Sequence, residues 1–258
     1  MKKVKVSELL FFIGYIMIIF SEMFSKVILF ENIISIVNNI GLGILMLAAI
    51  NCVIINKYNY KTLIGLIIVT IILILVTMKS KDNLLLKVFI LSIAFGDIEF
   101  KKFIKLDVII RIIFMCVVIL LYNIGLTENY FMYREDGTMR SSMGFAHPNN
   151  FGQYLLVICI DLVLLRFKKL KFVDYVYVLL SIILINYFSN SRTSQICLGI
   201  LFLIMIILRK HINIINFKFM KLLIINSFLI FTIVSILLAN NYRENREWAV
   251  QLNDLLSN

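Results

Sequence analysis

Apolar runs long enough to cross a bilayer recur along the whole chain, separated by short polar breaks. They cover residues 9–30, 33–55, 62–78, 84–100, 106–126, 148–167, 172–188, 194–208 and 222–240. A helix needs about 20 apolar residues to cross the hydrocarbon, whereas a barrel strand needs only about 9–11 alternating ones. The lengths therefore predict helices, about nine spans in one all-α, polytopic transmembrane bundle over residues 1–258. The run at 9–30 exceeds a secretory h-region and no small-residue cleavage site follows it, so it reads as a retained first span.

The fourth run is the weakest, because Lys87 and Asp97 interrupt it. The distribution of basic residues tests it, since cytoplasmic loops collect Lys and Arg. With nine spans and a cytoplasmic N-terminus, 16 basic residues fall inside, including Lys101, Lys102, Lys105, Arg166, Arg209 and Lys210. Seven fall outside: Lys79, Lys81, Arg134, Arg140, Arg192, Arg243 and Arg246. Removing the fourth span reverses that bias, so the run is expected to span. The expectation is a multi-pass cell-membrane protein with its N-terminus in the cytoplasm and its C-terminus outside. Residues 127–147 form an outer loop, 189–193 an outer turn, and 241–258 an outer tail containing Trp248.

Composition supports this. The chain is 61% hydrophobic and only 16% charged, against roughly 25% charged in a soluble domain. The net charge of +11 then reads as topogenic and not as a nucleic-acid footprint. Cys52, Cys116, Cys159 and Cys197 sit inside apolar runs without C-x-x-C spacing, and the histidines are His147 and His211 alone. Neither a metal site nor a cofactor is expected. Glu22 with Lys26, and Asp107 with Arg111, stand four apart within spans and read as neutralising pairs. Asn38, Asn39, Asn51 and Gln153 read as interhelical hydrogen-bonding groups.

Candidate chemistry concentrates at the outer breaks. The only proline, Pro148, follows Arg140-Ser141-Ser142-Met143-Gly144-Phe145-Ala146-His147 and precedes Asn149-Asn150. Proline is favoured at the first helical position, so it marks a helix N-terminus. A second N-terminus follows Ser189-Asn190-Ser191-Arg192-Thr193. Helix N-termini offer free N–H donors and partial positive charge, and guanidinium forks suit phosphate oxygens. Two such termini with Arg140 and Arg192 beside them point to a phosphate-bearing ligand. His147 reads either as a cap of the sixth span or as a group orienting an acceptor hydroxyl. Arg134, Glu135 and Asp136 read either as a solvated charge run or as an anion clamp with a base; Glu135-Asp136 lacks D-x-D spacing for a metal–sugar-diphosphate complex.

Gly144-Phe145-Ala146-His147-Pro148-Asn149-Asn150, the upstream Arg140 and the later Asn190-Ser191-Arg192-Thr193 resemble motifs of Wzy-type polymerases of lipid-linked polysaccharide repeat units. These belong with the O-antigen ligases in one family. The order of motifs and spans is similar over nearly the whole chain, and Leu252-Asn253-Asp254-Leu255-Leu256-Ser257 resembles the stretch before the family's large outer loop.

The resemblance implies a capsular or exopolysaccharide polymerase. A glycan on undecaprenyl diphosphate is transferred to a new lipid-linked repeat unit at the outer face of the cytoplasmic membrane, without metal. Arg140, Arg192 and His147 would be the catalytic residues, and Arg134, Asn149, Asn150, Ser191 and Thr193 would bind substrate. The implied partners are the lipid-linked oligosaccharide, the bilayer, and a flippase and chain-length regulator of the same pathway; nucleic acid is not among them. Family members continue beyond the position corresponding to Asn258. The expectation is thus a C-terminally truncated chain, with 241–258 as the start of the large outer loop, that polymerises poorly alone. Alternative readings are a ligase-like glycan transferase, a lipid-linked sugar transporter or flippase, and an inactive fragment.

Overall fold

The structure is a computed structural model that describes residues 6–25, 31–56, 58–96, 98–134, 137–167, 169–210 and 218–241. The N-terminal lysines, Lys26, Asp97, Glu135, Asp136, His211 and the tail with Trp248 and the 252–257 stretch lie outside the described residues. The described residues are mostly helical. Five helices are long and apolar enough to cross a membrane: Val6–Phe24, Ile33–Asn56, Tyr60–Ser80, Pro148–Arg166 and Arg192–Arg209. This is compatible with a multi-pass membrane protein. The chain divides into two compact units, Met1–Thr127 and Glu128–Asn258.

The first unit contains α1 (Val6–Phe24), α2 (Glu31–Asn56), α3 (Tyr60–Ser80), α4 (Leu84–Phe95) and α5 (Phe100–Asn123). Its tightest joint is between α1 and α2. A Cβ on Gly14 would lie 2.9 Å from the carbonyl oxygen of Gly41, so the two backbones nearly touch there. Small residues at a crossing permit this approach, which replaces the hydrophobic driving force that lipid removes. Phe11, fully buried, anchors a ring cluster with Tyr15, Phe95 and Phe103. Helix α3 has no buried residue, so its apolar surface suits lipid.

The run expected to be helical over 84–100 is helical only over Leu84–Phe95. Twelve residues make about 18 Å of helix. The break falls at Gly96, whose φ of +29° is costly for any residue with a Cβ. A Cβ there would also meet Cys52 Sγ at 2.2 Å. Helix α5 then starts at Phe100, not 106, so Lys101, Lys102 and Lys105 lie in its first turns.

The second unit contains β1 (Phe131–Tyr133), β2 (Met139–Ser141), α6 (Pro148–Arg166), α7 (Phe172–Phe188), α8 (Arg192–Lys210) and α9 (Lys218–Asn241). The strands amend the expectation of an all-α chain. They form an antiparallel hairpin inside the segment read as a loop, pairing Phe131 with Ser141, Met132 with Arg140 and Tyr133 with Met139. Gly137, at φ +80°, closes the turn by donating its N–H to Arg134 O at 2.9 Å. Asp136-Gly137 between short apolar runs is a hairpin signal.

At the far end of α6 and α7, Asp174 is fully buried but satisfied. Its carboxylate accepts from Arg166 Nη1 at 2.7 Å and from the Lys171 N–H at 2.6 Å. Tyr175 donates to the Met205 carbonyl at 3.1 Å, tying α7 to α8.

Candidate functional site

In a strand, alternate side chains share a face. Met132 opposes Arg140, so Arg134, two residues on, shares Arg140's face of the hairpin. Both arginines grip the turn between α7 and α8. Arg140 Nε donates to Ser189 O at 3.0 Å. Arg134 Nη2 donates to Asn190 O at 2.7 Å, and its Nη1 reaches Asn190 Oδ1 at 3.5 Å. Asn190 holds φ +45°, a left-handed conformation that asparagine tolerates better than most residues. The hairpin is thereby latched to a turn about fifty residues downstream.

Arg140 also donates through Nη2 to Asn149 Oδ1, in the first turn of α6. The strand, the α7–α8 turn and the start of α6 thus meet on one guanidinium, which is buried. Among the described residues, its hydrogen-bond acceptors are the neutral oxygens of Ser189 and Asn149. Burial, and after it the charges of Arg134 and Arg192, pull this guanidinium below its ordinary pKa, although it remains a cation. Arg192, half-buried, is the first residue of α8. Three guanidiniums therefore act on one small volume beside two helix N-termini, an arrangement that favours a polyanion.

The two N-termini are themselves in contact. A Cβ on Gly152 of α6 would lie 2.8 Å from Ser194 Oγ and 2.9 Å from Ser191 Cβ. Ser191 is buried; its hydroxyl donates to Ser194 Oγ at 3.1 Å, and its carbonyl accepts the Gln195 N–H at 3.0 Å as α8 begins. Thr193 is exposed in the first turn of α8.

His147 is the N-cap of α6. Its Nδ1 accepts the Asn149 N–H at 3.1 Å, and its carbonyl accepts the Asn150 N–H at 3.0 Å. Pro148 occupies the first helical position. An accepting Nδ1 places the neutral ring's proton on Nε2, which leaves Nε2–H to donate to a ligand oxygen. Burial, then the Arg140 charge, lowers the imidazole pKa and keeps it neutral for the cap. The structure thus gives His147 the capping role, with Asn149 bound to both His147 and Arg140.

Asn129 was not singled out by sequence, yet it organises the approach to this site. Its Oδ1 accepts from Ser141 Oγ at 2.9 Å, the Ser142 N–H at 3.0 Å, Ser142 Oγ at 3.1 Å and the Met143 N–H at 3.1 Å. That holds the chain where Met143 and Gly144, both at positive φ, reverse it toward α6. Phe145 is then fully buried against Tyr154, with ring centroids 5.4 Å apart. An asparagine in a polar loop carries no local signal of this role. Gly152, inside an apolar helix, likewise shows its importance only through its partner helix.

Among the described residues, no group of three His, Cys, Asp or Glu side chains is placed to hold a metal ion. Comparison with known proteins finds no matching family model, no matching curated protein and no matching solved structure.

Proposed function

We propose that the chain is a polysaccharide polymerase of about nine spans, with the N-terminus in the cytoplasm and the arginine cluster at the outer membrane surface. It transfers a glycan from undecaprenyl diphosphate to a hydroxyl of a new lipid-linked repeat unit. The observation that carries this reading is the buried Arg140 guanidinium, held by neutral oxygens beside Arg134 and Arg192. In the transfer, the bond between the sugar C1 and the diphosphate oxygen breaks while a bond from C1 to the acceptor oxygen forms. Negative charge grows on the leaving diphosphate. The three arginines and the N–H groups of α6 and α8 supply preorganised donors for that charge, the form of stabilisation that lowers such barriers most. His147 Nε2–H adds one donor. Glu135 and Asp136, which follow Arg134 in the sequence, are the candidates to take the acceptor's proton.

The other face of the hairpin supports a lipid-linked substrate. Phe131, Tyr133 and Met139 are exposed there, and aromatic side chains favour the headgroup boundary. A ligase-like transfer to another acceptor would use the same leaving-group machinery.

The test is deletion of the gene in its host followed by complementation. The host's intact gene should restore long polysaccharide chains, while the same gene carrying Arg140→Ala or Arg192→Ala should leave single repeat units. Arg140→Lys should recover only short chains, because it keeps charge but loses the planar fork. Normal chain length after deletion, or in both alanine variants at wild-type protein levels, overturns the proposal.

A further inference from the structure

The first unit contains a cavity of about 720 Å³ between α1, α2, α4 and α5, lined by Glu22, Asn38, Lys87 and Arg111 together with Ile34 and Leu91. Its polar wall is built in two parts. In the first, Asp107 is buried and accepts from Arg111 Nε at 2.8 Å and from Tyr15 OH at 2.8 Å. Those two charges cancel within the wall. In the second, Lys87 Nζ donates to Asn38 Oδ1 at 2.9 Å, and Ser21 Oγ reaches the same oxygen at 3.4 Å. Lys87 is thus positioned by a neutral amide. Glu22 supplies the carboxylate on the same cavity.

The pattern is one cation and one anion facing a common space at one end of the unit. Glu22 is two residues from the end of α1, about 3 Å along the helix, and Lys87 is three residues into α4, about 5 Å. Both charges therefore lie near helix ends. Intramembrane ionisable groups that are not mutually cancelled mark ligand sites by default. A purely anionic headgroup would face Glu22 and a purely cationic one would face Lys87. A zwitterion matches both.

We propose that this cavity binds the headgroup of a phospholipid carrying a phosphodiester and a primary ammonium. The phosphate sits on Lys87, the ammonium donates to Glu22, and the acyl chains run along Ile34 and Leu91. This site is independent of the arginine cluster and of the polymerase reading.

The experiment is native mass spectrometry of the full chain, delipidated and exchanged into mixed micelles containing phosphatidylethanolamine, phosphatidylcholine and phosphatidylglycerol. Wild type should retain phosphatidylethanolamine over the other two by about tenfold, roughly one charge-assisted hydrogen bond. Glu22→Gln should shift retention toward phosphatidylglycerol. Lys87→Met should abolish retention, and Lys87→Gln, which can still donate to Asn38, should do the same with the fold preserved. Lys26→Met should behave as wild type. Equal retention of all three lipids, preference for phosphatidylglycerol in the wild type, or wild-type selectivity in the Glu22 and Lys87 variants overturns the proposal. So does Lys26→Met reproducing Glu22→Gln, since Glu22 would then serve only as the partner of Lys26.

Discussion

Arg140 Nε donates to the carbonyl oxygen of Ser189 at 3.0 Å, and so fixes a β-hairpin to the turn that begins α8. The same guanidinium reaches Asn149 in α6. Removing it takes the donor from the buried Ser189 turn and from half-buried Asn149, and opens space where three elements meet. Arg140→Ala should lower the unfolding free energy in mixed micelles by about 2–5 kcal/mol, the range for lost hydrogen bonds of a buried charge. In a double-mutant cycle with Asn149→Ala, the two changes should be non-additive by about 0.5–3 kcal/mol. Strict additivity would show that the Arg140–Asn149 contact contributes nothing.

Acidification should loosen the start of α6. His147 Nδ1 must be unprotonated to accept the Asn149 N–H, and its folded pKa lies below the usual 6.5. Between those two values the unfolded chain binds more protons, so stability falls as pH drops below about 6.5 and is flat above it. The protection factor of the Asn149 amide, its exchange rate corrected for the intrinsic pH dependence, should fall over that window. His147→Asn should keep the cap without the pH dependence, because asparagine caps well through a group that does not titrate. An equal acid response in His147→Asn would place the titrating group elsewhere.

Much of the second unit's site was legible locally. Pro148 marked the start of α6, and Ser191-Arg192-Thr193 marked the start of α8, because capping and first-turn preferences act over three or four residues. The hairpin was harder to see. Its strands are three residues each, too short for alternation to register, although Asp136-Gly137 carried a turn signal. Gly96 ends α4 with a left-handed φ against Cys52, a contact that exists only once α2 is beside it. The grip of Arg140 on Ser189 is a long-range relation that no local pattern encodes. The same holds for the cavity that Glu22 and Lys87 share, which brings together residues of α1 and α4.

Asn129 should matter through its oxygen alone. Four donors converge on Oδ1, among them the hydroxyl and the N–H of fully buried Ser142. Asn129→Ala should cost about 1–3 kcal/mol, chiefly for the Ser141 and Ser142 hydroxyls it leaves without their acceptor, since the Ser142 N–H also donates to Tyr130 O. Asn129→Asp keeps the acceptor and should retain most of the stability. Limited proteolysis of the 127–147 segment measures this directly; faster cleavage in the aspartate variant than in the alanine variant would contradict the oxygen-acceptor account.

The closest approach in the second unit gives the sharpest test of how the arginines are brought together. A Cβ on Gly152 would stand 2.9 Å from Ser191 Cβ, an atom fixed by the backbone, and 2.8 Å from Ser194 Oγ, which is engaged by the Ser191 hydroxyl. The Ser194 hydroxyl can turn aside only by giving up its bond to Ser191, and Ser191 Cβ cannot yield without moving α8 away from α6. Gly152→Ala should therefore destabilise by about 1–3 kcal/mol, the cost of overpacking, even though alanine is the better helix former. Gly65 is the control: a Cβ there meets nothing within 4 Å, so Gly65→Ala should be neutral or stabilise by up to about 1 kcal/mol. Under the proposed reading, Gly152→Ala also separates Arg192 from Arg140, so inorganic pyrophosphate should bind more weakly than to Gly65→Ala. Adding Ser194→Gly removes one of the two clashes and should restore part of the stability. Equal melting temperatures for Gly152→Ala and Gly65→Ala would mean that α6 and α8 separate freely, and that the three guanidiniums are not held together by this contact.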